Sequence, residues 1–182
     1  MRLPLILHPH SVCRAVDRIE VEVARPQPNA LVLHYLVTGA IGDLRLPPLA
    51  APVRADGLWR HSCFEAFLRA WPDAAYRELN FAPSTEWAAY HFSGYRSGMS
   101  VETEAGPPRI HIRSNGNCFE LVAALELDGM PGLASNAIWR LGLSAVIEET
   151  SGRKSYWALA HPTGSPDFHH EDCFALQLPP AA

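Results

Sequence analysis

The chain has 182 residues, a formal net charge of −4 and only 19% charged residues. That length supports a hydrophobic core without disulfides, and the acidic balance provides no basic patch for a phosphate backbone, which excludes nucleic acid as a partner. Its 16 prolines and short apolar runs point to strands joined by turns rather than to helical bundles.

Leu3-Pro4-Leu5-Ile6-Leu7 is apolar but too short for a signal h-region, and His8-Pro9-His10 ends it. No run approaches the roughly 20 apolar residues of a membrane span. Cys13, Cys63, Cys118 and Cys173 form no C-x-x-C pair, so a zinc knuckle or a thioredoxin-like site is disfavoured. The expectation is a cytoplasmic protein with reduced thiols and no membrane partner.

Arg18 to Val23 alternates, with Ile19, Val21 and Val23 on one face, and reads as a half-buried strand. Ala30 to Thr38 is a second, with Leu31, Leu33, Tyr35 and Val37 on its apolar face. Leu44 to Arg54 is Pro-rich and extended, because Pro cannot donate to a ladder. Leu58 to Ala70 suits a helix or a strand. The strand is preferred because Trp71-Pro72-Asp73 then turns the chain into Tyr76 to Phe81. Trp87 to Phe92 completes a meander. Arg109 to Ser114 and Phe119 to Leu127 flank Asn115-Gly116, a strong hairpin signal. Pro131 to Ser135 reads as a short helical turn. Ile138 to Glu148 is the clearest strand, with Trp139, Leu141, Leu143, Ala145 and Ile147 on one face and Arg140, Ser144 and Glu148 on the other. Ser155 to Ala160 and Cys173 to Leu178 close the series. About ten short strands with few helical patterns define an all-β chain, an antiparallel β-sandwich or jelly roll in one domain.

Three stretches carry a resemblance: LWRHSCFEAFLRAW from Leu58, YRELNFAPSTEWAAYHFSGYRSGM from Tyr76, and IEETSGRKSYWALAHPTGSPDFHHEDCF from Ile147. Together they resemble bacterial proteins of the DOMON-like superfamily, which are related to the family 9 carbohydrate-binding modules. In those proteins a Trp precedes an acidic strand ending in Glu-x-Phe, and a Tyr-x-x-x-Asn-x-x-Pro strand follows, here Tyr76, Asn80 and Pro83. The resemblance implies a β-sandwich whose curved sheet holds a sugar or a haem. It also brings in calcium and haem b as cofactors. The sugar-binding relatives often hold calcium through acidic loops, whereas Asp43, Asp56, Asp73 and Asp128 are isolated here.

The polar groups on apolar strands are the first candidate site. Tyr76, Glu78 and Asn80 share one face of one strand, Arg140, Ser144 and Glu148 one face of another, and Glu65 interrupts a third. Carboxylate, amide and guanidinium groups hydrogen-bond adjacent sugar hydroxyls, and flat rings pack on C–H-rich sugar faces. Glu65, Glu78, Asn80 and Arg140 are therefore expected to bind hydroxyls and Trp59 and Trp157 to stack, with further walls from Trp87, Tyr90 and Tyr95. The competing reading is the solvated face of an antiparallel sheet. A second cluster, with His161, Asp167, His169, His170, Glu171 and Asp172, lies in a Pro-broken loop that would close over the sheet. Its spacing matches no metal motif.

Haem ligation would pair Met99 with His91, His161 or His169. Nucleophilic catalysis finds no G-x-S-x-G elbow, and Cys63 beside His61 reads more readily as core. No catalytic residue is assigned. The leading expectation is noncatalytic binding of a small polar ligand, a carbohydrate foremost, on the concave sheet face. The alternatives are a haem-binding electron-transfer module or a structural domain without a ligand.

Overall fold

The computed structural model describes residues 1–128, 130 and 132–180. Its strands are β1 (Arg2–Leu7), β2 (Val16–Ala24), β3 (Ala30–Gly39), β4 (Cys63–Ala70), β5 (Tyr76–Phe81), β6 (Trp87–Phe92), β7 (Ser100–Val101), β8 (Arg109–Ser114), β9 (Cys118–Glu126), β10 (Trp139–Glu148), β11 (Lys154–Ala158) and β12 (Leu176–Leu178). The helical segments among the described residues are single 3-10 turns at Ile41–Asp43, Leu58–Arg60 and Glu171–Cys173.

All strand pairing is antiparallel. One sheet runs β1-β2-β3-β9-β8, the other β7-β6-β5-β4-β10-β11, and β12 lies beside the start of β10. β1 belongs to both sheets. Its first residues pair with β2, and Ile6 and Leu7 cross to Ala158 and Trp157 of β11.

The two sheets pack face to face, as period-two alternation demands of strands with one apolar face. Leu31, Leu33, Tyr35 and Val37 of β3 meet Trp139, Leu141, Leu143, Ala145 and Ile147 of β10 in one continuous core. Phe64 of β4 sits between Tyr35 and Phe119, with ring centroids 5.0 and 5.7 Å away, and is parallel to Phe119. The Tyr35 hydroxyl, buried in this core, donates to the Glu65 carbonyl across the gap at 2.8 Å, which satisfies its polar end.

The second sheet has another apolar layer on its outer face. Phe67, Tyr76, Tyr90, Phe92, Phe168 and Phe174 belong to it. Phe92 is in this layer and not between the sheets. The chain near Cys173 covers part of the face at Gly142, where an added Cβ would lie 3.0 Å from the Cys173 carbonyl oxygen.

The strand reading of 63–70 and the β4-β5-β6 meander match the structure, as does the β8–β9 hairpin around Asn115-Gly116. β1 and β7 were not expected. Pro4 interrupts the strand pattern of β1, and two-residue β7 is too short to show a period. The final strand begins at Leu176, because Glu171–Cys173 coils into a 3-10 turn held by the Asp172 N–H on His170 Nδ1. The helical turn expected from Pro131 begins outside the described residues, and 132–135 contain no helix.

Candidate functional site

A cavity of about 400 Å³ opens on the outer face of the second sheet. Its floor comes from alternate residues of neighbouring strands: Glu65 and Phe67 on β4, Glu78 on β5, Phe92 on β6, Val146 on β10 and Tyr156 on β11. Three chain segments supply the rim. The Leu58–Arg60 turn presents Trp59, the loop after β6 presents Arg96 and Met99, and the loop before the last 3-10 turn presents Pro166, Phe168 and His169.

A polar row crosses the floor. Ser144, Glu65 and Asn80 are direct neighbours on β10, β4 and β5. Ser144 Oγ donates to Glu65 Oε2 at 3.3 Å, and Asn80 Nδ2 donates to Glu78 Oε1 at 2.8 Å. Glu65, Glu78 and Asn80 are 2%, 5% and 0% exposed, so this row is not a solvated sheet face. Burial first and the neighbouring Glu78 second push the Glu65 carboxyl well above the usual carboxylate range. Burial also raises Glu78.

His169 stands over this row. Its ring packs edge-on against Phe67 and Phe92 at 5.0 and 5.1 Å. Tyr76 Oη lies 2.8 Å from His169 Nδ1 and accepts the Arg96 backbone N–H at 3.3 Å. The hydroxyl has one proton and two lone pairs, so it is able to bond Nδ1 while it accepts this N–H, and the other ring nitrogen, Nε2, lies 3.7 Å from Glu78 Oε2. Burial, then the nearby Arg96 charge, lower the His169 pKa to about 4, so the ring is neutral at physiological pH.

The rim is held by its own polar bonds. Arg96, in the left-handed region at φ 50°, places Nε and Nη2 at 3.2 and 2.7 Å from Asp167 Oδ1, and Tyr95 Oη donates to Oδ2 of the same carboxylate. Asp167 also accepts the His169 N–H at 3.1 Å, and Cys173 Sγ donates to the Asp167 carbonyl. Burial opposes its charge, but the bonds from Arg96 and Tyr95 outweigh this and hold Asp167 below its ordinary pKa. Across the mouth, Trp59 is 37% exposed and meets Tyr90 edge-on at 5.9 Å. Tyr90 Oη donates to Asp56 at 2.8 Å.

Of the residues expected from sequence, Trp59, Glu65, Glu78 and His169 line the cavity, and Tyr76 and Asn80 lie one hydrogen bond behind it. Four others are elsewhere. Arg140 sits opposite Arg69 with its guanidinium 4.1 Å from the Trp71 ring, over a separate cleft. Glu148, at the far end of β10, holds Arg45 at 3.1 Å and His61 at 2.7 Å. Trp157 turns into the core between the sheets, because its partner Ala145 is on the inner face of β10. The neighbouring Tyr156, paired with outer-facing Val146, takes the wall position instead. His161 packs on His8 at 4.8 Å, and its Nε2 donates to the Ile6 carbonyl at 2.8 Å.

Tyr156 was within reach of sequence reasoning through strand parity. Arg96 and Phe168 were not, since loops give no period. The bond from His61 to Glu148 also means that His61 forms no thiolate pair with Cys63, whose thiol burial pushes up. Met99 and His169, one of the pairs weighed for haem, both line the cavity. Among the described residues, no group of three or more His, Cys, Asp or Glu side chains is poised to hold a metal ion, and no helix is long and apolar enough to cross a membrane.

No family model matches the chain, and no curated protein matches it. Solved structures do share its fold. A candidate carbohydrate-binding protein from Bacteroides uniformis superposes with a TM-score of 0.70 at 12% identity, over 94% of this chain and 83% of that one. A family 9 carbohydrate-binding module from Caldicellulosiruptor kristjanssonii, solved with cellotriose, superposes with a TM-score of 0.52 at 13% identity, over 85% of this chain and 70% of that one. The likeness at these identities is one of fold: an antiparallel β-sandwich of the kind seen in family 9 modules.

Proposed function

We propose that this chain binds a carbohydrate, without catalysis, in the cavity between Trp59 and His169. The observation that carries this reading is the make-up of the cavity. A buried hydrogen-bonding floor of Glu65 and Glu78, with His169 above it on the rim, is flanked by the aromatic rings of Trp59, Phe92, Tyr156 and Phe168. Its volume of about 400 Å³ falls in the usual range of small-ligand pockets, about 300–1,000 Å³. The polar floor takes the hydroxyl edge of a sugar ring and the aromatic walls its C–H face. The names of the two fold neighbours, a candidate carbohydrate-binding protein and a family 9 module with cellotriose, support the same reading.

Intrinsic Trp fluorescence titrated with mono- and disaccharides and cell-wall fragments tests it. Trp59 stands at the mouth beside Tyr90 and reports on occupancy. The expected result is a saturable shift for at least one sugar, absent in Trp59→Ala. A flat response across the panel, with calorimetry equally silent, would overturn the proposal.

A further inference from the structure

The floor of the cavity holds more acceptors than the protein supplies donors. Ser144 serves one oxygen of Glu65, and Asn80 Nδ2 serves one oxygen of Glu78. The second Glu65 oxygen receives no protein hydrogen bond among the described residues, and the second Glu78 oxygen has only His169 Nε2, 3.7 Å away and beyond hydrogen-bond distance. Asn80 Oδ1, on a side chain with no exposure, has no partner among the described residues. Nor does any Lys or Arg lie within 4.0 Å of either Glu carboxyl among those residues. The nearest cation on the rim, Arg96, is committed to Asp167.

We propose that the cavity selects ligands bearing a protonated amine, amino sugars foremost, and holds the ammonium group between the Glu65 and Glu78 carboxylates. An ammonium has three donors and no acceptor, which is the complement of this floor. It also brings the counter-charge that two adjacent buried carboxylates lack. Neutral sugars reach the same wall but bring only hydroxyls.

Among the described residues, the titratable groups around the pair include Tyr35 on β3, Cys63 on β4, Tyr76 on β5, Tyr90 on β6, Arg96 and Asp167 on the rim, and neutral His169. Only Arg96 among them is cationic at neutral pH, and Asp167 offsets it. Without a ligand, burial of both groups and the closeness of Glu78 to Glu65 shift the carboxyls toward their protonated forms. When an ammonium enters, the carboxyl proton passes to the buffer and the charge-assisted bonds form. Binding of an already protonated amine therefore releases a proton, and binding of a neutral sugar does not.

This inference rests on the cavity being a ligand site, and the test separates the two claims. Calorimetry at about pH 6.5, where an amine is protonated, would compare glucosamine, glucose, N-acetylglucosamine and cyclohexylamine in two buffers of different ionisation enthalpy. Glucosamine is expected to bind at least tenfold tighter than glucose or N-acetylglucosamine, with net proton release that the two neutral sugars do not show. Glu65→Gln combined with Glu78→Gln, checked for an intact thermal transition, brings glucosamine down to the level of glucose. Equal affinities without proton release would overturn the ammonium inference and leave the carbohydrate reading standing. Cyclohexylamine binding with every sugar silent would do the reverse. Silence from all four ligands would overturn both.

Discussion

Tyr76 Oη and His169 Nδ1, 93 positions apart in the chain, are joined by a 2.8 Å hydrogen bond that fixes the rim loop to β5. The Tyr76 ring also stacks on Phe92 at 4.8 Å, so Tyr76→Phe removes the bond and keeps the packing. We expect a loss of about 0.5–1.5 kcal/mol of stability in urea unfolding. Ligand affinity should also fall several-fold, as His169 loses the bond that holds its ring over the cavity. Unchanged affinity would mean that the imidazole does not face the ligand.

The position of Arg140 over Trp71 and that of Val146 in the cavity wall make opposite expectations. Arg140→Ala should leave sugar affinity within twofold. Val146→Phe, by filling the cavity from a strand, should abolish the fluorescence shift while the thermal transition persists. A tenfold loss in Arg140→Ala would move the site to the neighbouring cleft.

Arg77 and Glu102 form an ion pair 3.0 Å apart, and both side chains are almost fully buried. Removing one partner of such a pair strands the other, a cost of about 3–5 kcal/mol. Glu102→Ala should therefore lower the unfolding midpoint far more than Glu126→Ala, whose pair with Arg109 is exposed. Comparable midpoints would show that water reaches Arg77.

Acid stability has contributions of opposite sign. Backbone N–H groups of Arg14 at 2.7 Å and Ala15 at 3.0 Å depress the Glu149 pKa. Its contribution is present above the unfolded value and is lost as pH falls through the folded one. His169, lowered to about 4, stays neutral in the fold while the unfolded chain gains a proton below about 6.5. Stability is therefore lost from there down to about pH 4. Glu65 acts the other way: its raised pKa makes the fold pay a penalty that grows as pH rises above the unfolded carboxyl value. His169→Gln should flatten the stability curve between pH 6.5 and 4, and Glu65→Gln should raise stability at pH 7. Chemical denaturation across that range reads both, and a Glu65→Gln protein less stable at pH 7 would contradict the assignment.

Strand parity was the most legible information in the sequence. Alternation placed Tyr76, Glu78 and Asn80 on one face, and the structure keeps them there. Parity gives the face of a residue but not its place along the strand. Arg140 and Glu148 share a face with Ser144, yet they sit near opposite ends of ten-residue β10, roughly 25 Å apart at about 3.3 Å per residue. Only the middle of that face reaches the cavity. The Trp157 expectation failed for a related reason. An aromatic pair on one strand must send one ring each way, and the ladder to β10 decides which. The rim was illegible because Arg96 and Phe168 are placed by hydrogen bonds around Asp167, which leave no pattern in the chain.

The crossing of β1 between the sheets also bears on how the protein is made. Ile6 waits for Ala158, so during synthesis an early strand keeps a free edge until β11 leaves the ribosome. Pairing over such a span is slow, and an open edge invites foreign strands. Nascent chains that stop short of Lys154 should be the ones that chaperones retain and that precipitate when released.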